Sequence, residues 1–329
     1  MILGIALLGC QPKVEQQQSR IEPEPKNTEI QLIRNEKLTS TGRVPVYISR
    51  NQGRSWEPVS EGLNPDIQVS FLEPFGDEIL MATDNDGLYI SYDNRTRWKP
   101  IGSGLPGKKI NSLYLGEATF YAGVYGQGLF RSLDKGQTWE AYNFNLPDLR
   151  VQSILEVGDL LLVGTDSGIF QLDAQNQFWI LSFPHVQVLS LNHYEGKFVA
   201  GTNQGSLLSE NGPGKWRWIN QQGAVHYTIL IDQTIIEMVI MGNLNFSNDW
   251  GASWQQGIYS PNAGTYVYQV AKVGSQYILS NNYGVSISDD GGLTWSRIFE
   301  TELMGFFDFL VIDNVIYGGT RSWNESRGK

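Results

Sequence analysis

One eight-residue pattern recurs along this chain at nearly constant intervals. Its clearest copies are Ser132-Leu133-Asp134-Lys135-Gly136-Gln137-Thr138-Trp139 and Ser288-Asp289-Asp290-Gly291-Gly292-Leu293-Thr294-Trp295, both S-x-D-x-G-x-T-W. Ser247 to Trp254, with Asp249 and Gly251, has Ser in place of Thr. Ser49 to Trp56 has Asn51 in place of Asp. Ser91, Asp93 and Trp98 keep the frame without the Gly, and the copies beginning at Gln171 and Ser209 are more worn. The starts fall at 49, 91, 132, 171, 209, 247 and 288, so the intervals are 42, 41, 39, 38, 38 and 41.

Each copy has the chemistry of a tight hairpin turn. An Asp or Asn carboxyl or amide oxygen can accept from backbone N–H groups two or more residues on. Gly136 and its counterparts supply a positive φ without steric cost. The Ser can tie the two ends of the turn together. The Trp beyond it can bury a large ring against the next repeat while its indole N–H finds an acceptor. One such turn per period of about 40 residues is the mark of a propeller, in which each repeat is one small sheet.

The repeat around Asp134 shows the expected blade. Residues 110–115 alternate as a half-buried strand, and 119–124 form a second, with Ala122-Gly123 where a bulky side chain would not fit. Residues 128–133 form a third, and the turn leads into a fourth at 138–142. Four short antiparallel strands make one blade. Leu-Pro or Asn-Pro pairs mark crossings between blades: Asn64-Pro65, Leu105-Pro106 and Leu146-Pro147.

The two ends complement each other. Residues 44–56 enter directly at a third strand and its turn, whereas 306–311 and 315–320 supply a first and a second strand. The fold expected is therefore all-β: a seven-bladed β-propeller whose last blade is closed by strands from both ends, leaving no open edge between first and last blades. Its span is residues 43–329.

The chain has 329 residues, a net charge of −10 and a single cysteine, Cys10. The acidic balance speaks against general nucleic-acid binding, which needs basic surface to displace counterions. One cysteine allows no disulfide within the chain and no thiolate metal site. Leu7-Leu8-Gly9-Cys10 follows an apolar run and reads as a lipobox, so residues 1–10 are expected to be a lipoprotein signal and Cys10 the lipidated residue. Residues 11–42, rich in Gln, Glu and Pro, read as a tether. Contact with a membrane is expected through that lipid alone, at the bacterial cell envelope. No cofactor or metal is expected, because His185, His193 and His226 show no ligand spacing. The chain is taken as a monomer.

The recurring turn resembles the Asp-box of bacterial neuraminidase repeats, and the chain is similar in layout to Asp-box propellers. That resemblance implies structural roles for Asn51, Asp93, Asp134, Asp249 and Asp290, and for Trp56, Trp98, Trp139, Trp254 and Trp295. It also implies that these turns lie on the face opposite the ligand face. Sialidases of this kind place an Arg in an F/Y-R-I-P motif. Gly42-Arg43-Val44-Pro45 is similar, with Gly42 in place of the aromatic residue and a turn following at once. No catalytic residue is assigned. The seven-blade count and the lipobox also resemble photosystem II assembly factors.

The opposite face carries the turns from second to third strands and the crossings. Candidate ligand-binding residues there are Asp84, Asp86, Tyr125, Arg150, Asp166, Asn282, Tyr283, Arg321 and Trp323, around the mouth of the central channel. The function expected is non-catalytic binding of a protein or glycan partner. Two alternatives stand beside it: a glycoside hydrolase, sialidase-like or xyloglucanase-like, with a carboxylate pair drawn from Asp84, Asp86 and Asp166, and an assembly factor for a membrane complex.

Overall fold

The computed structural model describes residues 44–107, 109–221, 223–239, 244–257, 267–281, 284–300 and 304–322. Cys10, the tether, Arg43, Asn282, Tyr283 and Trp323 lie outside them. The described chain enters at β1 (Val46–Ser49) and β2 (Glu57–Pro58). Six complete blades follow. The first is β3 (Val69–Phe75), β4 (Glu78–Thr83), β5 (Leu88–Tyr92) and β6 (Arg97–Ile101). The second is β7 (Ile110–Leu115), β8 (Phe120–Val124), β9 (Gly128–Ser132) and β10 (Glu140–Ala141). The third is β11 (Val151–Val157), β12 (Leu160–Thr165), β13 (Gly168–Asp173) and β14 (Phe178–Pro184). The fourth is β15 (Val188–Tyr194), β16 (Lys197–Thr202), β17 (Gly205–Ser209) and β18 (Arg217–Asn220). The fifth is β19 (Val225–Ile231), β20 (Thr234–Val239), β21 (Leu244–Ser247) and β22 (Gln255–Gly257). The sixth is β23 (Val267–Val273), β24 (Gln276–Asn281), β25 (Gly284–Ser288) and β26 (Ser296–Glu300). β27 (Met304–Ile312) and β28 (Val315–Ser322) come last, and no helix occurs among the described residues.

The seven sheets have four strands each, and the seventh has the order β2-β1-β28-β27. Val46 pairs with Gly319 and Ser49 with Ile316, so strands from the two ends of the propeller make one blade. The molecule is a seven-bladed β-propeller closed in this way, and the seam exposes no free strand edge between its first and last blades.

The hydrophobic core is divided among the spaces between neighbouring blades, and the turn tryptophans fill those spaces. Each packs against the preceding blade, not the following one. Trp139 lies with Ala82 and Leu88, Trp56 with Ile278 and Val285, and Trp98 with Val46 and Ile48. The indole hydrogen bonds agree where they leave the blade: Trp98 donates to the Val59 carbonyl at 2.7 Å and Trp254 to that of Ile219 at 3.2 Å. The expectation of packing on the next repeat is thus reversed. The fourth strand returns along the outer rim on the side where the previous blade lies.

The turns around Asp134, Asp249 and Asp290 share one bonding scheme. At Asp134, Gly136 N–H donates to Ser132 Oγ at 2.8 Å, and Thr138 N–H donates to Asp134 Oδ1 at 2.8 Å. Thr138 Oγ1 donates to Asp134 Oδ2 at 2.5 Å. Lys135 and Gly136 take φ of 59° and 83°, two successive left-handed steps that reverse the chain. Asn51 accepts from Ser55 N–H at 2.9 Å in the same manner. The Ser is the buried member of the motif and the Asp stands at the surface, where its bonds hold the carboxyl down at about 2 for Asp134. The turn at Asp93 is built differently. No Gly is present, and Asp93, Asn94 and Arg95 all take left-handed φ, at 54°, 57° and 63°. Ser91 Oγ turns away to donate to Glu78 Oε2 at 2.6 Å, and Trp98 is still buried.

Candidate functional site

Register places the site. In every blade the innermost strand carries one β-bulge at the same position, between Val69 and Phe71 in β3, Ile110 and Ser112 in β7, and so on to Phe306 and Asp308 in β27. A bulge leaves one residue out of the ladder and re-aims it. Ser70, Asn111, Gln152, Leu189, His226 and Tyr268 hold this position, and all six line a cavity of about 360 Å³ in the central channel. Among the described residues, those that follow the second strands of the first four blades, Asp84, Tyr125, Asp166 and Asn203, and those that precede the innermost strands, Gln68, Lys109, Arg150 and Gln187, form the mouth. Arg321, inside β28, stands at the register equivalent to the first set, just after Thr320.

Five of the sequence candidates meet along one arc of this mouth. Arg321 Nη2 donates to Asp84 Oδ2 at 2.7 Å, and Lys109 Nζ lies 3.5 Å from Asp84 Oδ1. The Lys109 ammonium also sits 4.6 Å from the centre of the Tyr125 ring, a cation–π contact. Arg150 forks onto Asp148 through Nε and Nη2 at 2.9 and 3.0 Å, while its Nη1 lies 3.3 Å from Asp166 Oδ2. Gln152 and Gln187 donate to Asp166 Oδ1 at 2.7 and 2.8 Å. Burial alone would push Asp148 up, but the bonds from Arg150 hold it below the ordinary carboxylate range. Asp86 is placed elsewhere: it accepts from the Tyr89 hydroxyl at 2.6 Å, which with burial pushes that phenol up to about 12.

The arc hides its acids and shows its cations. The Arg150 side chain is 50% exposed, against 7% for Asp148 and 16% for Asp166. Tyr125 is 45% exposed, and Leu149 beside Arg150 is exposed as well.

Deeper in the channel lies a group that the sequence reading missed. Four consecutive innermost strands, β19, β23, β27 and β3, bring Tyr227, Gln269, Asp308 and Glu73 to the cavity. Asp308 is buried; its Oδ2 accepts from Leu72 N–H at 2.7 Å and its Oδ1 from Gln269 Nε2 at 3.1 Å. Burial outweighs these bonds and raises its carboxyl to about 6. Glu73 borders the lumen, which leaves its side chain partly accessible, and protein surrounds it elsewhere. Burial first, and then the nearby Asp308, raise it to about 8. Burial pushes the Tyr227 phenol up, and burial with Arg321 pushes His226 down.

A break in the repeat pattern could have revealed Tyr227, Gln269 and Asp308, though not Glu73, which lies two residues past the equivalent position in β3. The residue after the bulge is serine in three successive blades, Ser112, Ser153 and Ser190, each paired with a glycine. A Cβ on Gly164 would lie 2.3 Å from Ser153 Oγ, so these pairs permit only small residues. In the next three blades the same position holds Tyr227, Gln269 and Asp308.

No protein-family model matches this chain, and no curated protein matches it. Solved propellers do. The extracellular domain of BT4673 from B. thetaiotaomicron superposes with a TM-score of 0.64 at 14% identity, covering 80% of this chain and 38% of that one. This chain therefore spans well under half of that domain. YCF48 bound to D1 peptide gives a TM-score of 0.62 at 15% identity, over 81% of this chain and 98% of that one. An ancestral GH74 enzyme gives 0.58 at 16% identity, over 78% and 40%. At these identities the likeness is one of fold, and a fold is shared by unrelated functions.

Proposed function

We propose that the protein is a non-catalytic recognition propeller of the bacterial cell envelope, held by lipid on Cys10, that takes an acidic segment of a partner protein at the channel mouth. The observation that carries this reading is the arc of Lys109, Tyr125, Leu149 and Arg150. On a chain of net charge −10, the exposed groups at this place are cationic and aromatic, with their counter-charges sunk beneath them. Exposed cations on a scaffold of paired acids favour carboxylates on the partner, and aromatic and Arg side chains supply much of the contact energy at interfaces. The propellers of similar fold lend support: one is a peptide complex and another an extracellular domain. The sequence adds the lipobox before Cys10. Asp84 and Asp166 serve this reading as anchors for the cations.

A fluorescein-labelled poly-glutamate peptide tests the mouth. The wild-type chain is expected to bind it in a salt-sensitive manner. Replacing Lys109, Tyr125 and Arg150 together with Ala should weaken binding at least tenfold, roughly one charge-assisted contact's worth. The melt should fall too, because Asp148 loses the Arg150 fork, so binding is compared at a temperature where both proteins are folded. Equal binding by the triple variant would refute the placement. The anchor has its own test: Cys10→Ser should move the protein from the membrane fraction to the soluble one, and unchanged fractionation would refute it.

One observation favours the competing class. Glu73 and Asp308 are two carboxyls in one lumen raised to different extents, as a general acid and its partner would be. Turnover of an aryl sialoside or of xyloglucan that disappears in Glu73→Gln would replace the binding reading by a glycoside hydrolase.

A further inference from the structure

We propose that the floor of the channel is a binding site for an aliphatic ammonium group, the chemistry of a lysine side chain or a small alkylamine. The proposal stands apart from the reading of the mouth and rests on different residues. Glu73 and Asp308 line the cavity together with the Tyr227 phenol and the amide of Gln269. Asp308 has its two hydrogen bonds, from Leu72 N–H and Gln269. The Glu73 carboxyl faces the same cavity, and among the described residues it has no hydrogen-bond partner. Water reaches that carboxyl from the lumen, and a ligand able to donate to it would replace that water in a site whose protein walls disfavour an unpaired charge.

The cations that line the cavity do not serve the floor. Lys109 and Arg321 both bind Asp84, nearer the mouth. His226 is held toward its neutral form by burial and by Arg321. The charged and titratable groups of the described residues that line the lumen are thus Glu73, Asp308, Tyr227, Tyr268, His226, and the Asp84 cluster with Lys109 and Arg321 above them. The floor is acidic, and no cation among the described residues meets it.

Size and wall chemistry select the ligand. A cavity of about 360 Å³ is far larger than a bare metal ion needs. Hard divalent cations seek six or more oxygens, and the described residues hold no group of three or more His, Cys, Asp or Glu able to bind a metal. An ammonium needs fewer acceptors and has three donors to give. Leu113, Ile154 and Leu191 line the same cavity from β7, β11 and β15, an apolar wall for an alkyl stem. On binding, the ammonium would donate to Glu73, which gives up its proton to solvent. Burial and Asp308 hold that proton on Glu73 up to about pH 8 in the empty site.

The test is calorimetry of the full chain with 1,5-diaminopentane at pH 7, run in two buffers of different ionisation enthalpy. The expected result is saturable binding with release of about one proton per site, and at least tenfold weaker binding without proton release in Glu73→Gln. Tyr227→Phe, which leaves Asp308 in place, should weaken binding to a lesser degree. n-Pentanol, with the same stem and no charge, should not bind. Absence of amine binding at millimolar concentration would overturn the proposal, as would equal affinity and proton release in Glu73→Gln. Binding of calcium chloride in preference to the amine would overturn the assignment to an ammonium.

Discussion

Replacing Glu73 by Gln should change how the stability of this protein depends on pH. In the folded chain Glu73 titrates at about 8, against 4.5 for an unperturbed Glu, because burial and Asp308 both disfavour its charge. The native state therefore holds a proton that the unfolded chain releases between those values. Stability from this group is fully present below about pH 4.5 and is lost as pH rises through about 8. Asp308, raised from 3.8 to about 6, acts in the same direction over a lower window. At 1.36 kcal/mol per pH unit, a shift of this size sets a ceiling of about 5 kcal/mol for Glu73. The lumen admits water to its carboxyl, and the Asp308 charge is partly counted in the same loss. About 2 kcal/mol is the expected change. At 2–4 °C per kcal/mol for domains of about this size, that is a fall of about 6 °C in Tm between pH 5 and pH 8. Gln is isosteric and cannot ionise. The Glu73→Gln variant should melt with wild type at pH 5 and about 6 °C above it at pH 8. Thermal melts followed by tryptophan fluorescence across this range would decide. Parallel profiles for the two proteins would refute the burial argument and with it the protonated Glu73.

Two further outcomes follow from the blade and the turn. Gly164→Ala should lower stability by about 1–3 kcal/mol, read from denaturant melts, because the new Cβ would meet Ser153 Oγ at 2.3 Å and Val188 Cγ1 at 2.6 Å; an unchanged midpoint would show that the blades can slide apart there. Asp134→Ala should lower the melt near neutral pH, and the gap from wild type should close as pH falls from 4 towards 2. A carboxyl whose folded value is depressed, here to about 2, stabilises above the unfolded value and loses that contribution on the way down. A gap that persists at pH 2 would assign the loss to something other than the turn carboxylate.

The architecture was legible because the turns repeat and the ends are complementary halves of one blade. Ser49, Ser132, Ser247 and Ser288 fix the period, and Val46 against Gly319 closes the ring that 44–56 and 306–320 imply. The mouth was legible for a related reason. Asp84, Tyr125 and Asp166 each follow a second strand, and Arg321 stands at the equivalent register in β28, so their place depends on topology alone. What could not be read was what lies across the lumen. Glu73 and Asp308 are 235 residues apart and look like ordinary positions in alternating strands. The bulge brings Asp308 to the position that Ser112, Ser153 and Ser190 hold in other blades, where the Ser–Gly pairing is the available signal; Glu73 lies two residues past that position in β3, where no pattern marks it. Packing direction was misread because a hairpin tryptophan can lean either way. Ring order decides it.

The two-ended blade also sets a schedule. β1 and β2 come first in the chain among the strands, but β28, the strand that Val46 and Ser49 require, comes after nearly all the rest of the propeller. Whatever order the chain emerges in, the first hairpin has one ladder of backbone groups unmatched until that strand is in place. Until then the six complete blades form an arc with a strand edge at the gap, open to any other chain that can add a strand. In a cell, how quickly the last two strands arrive governs how long the unfinished arc is exposed to capture by chaperones or by its own copies.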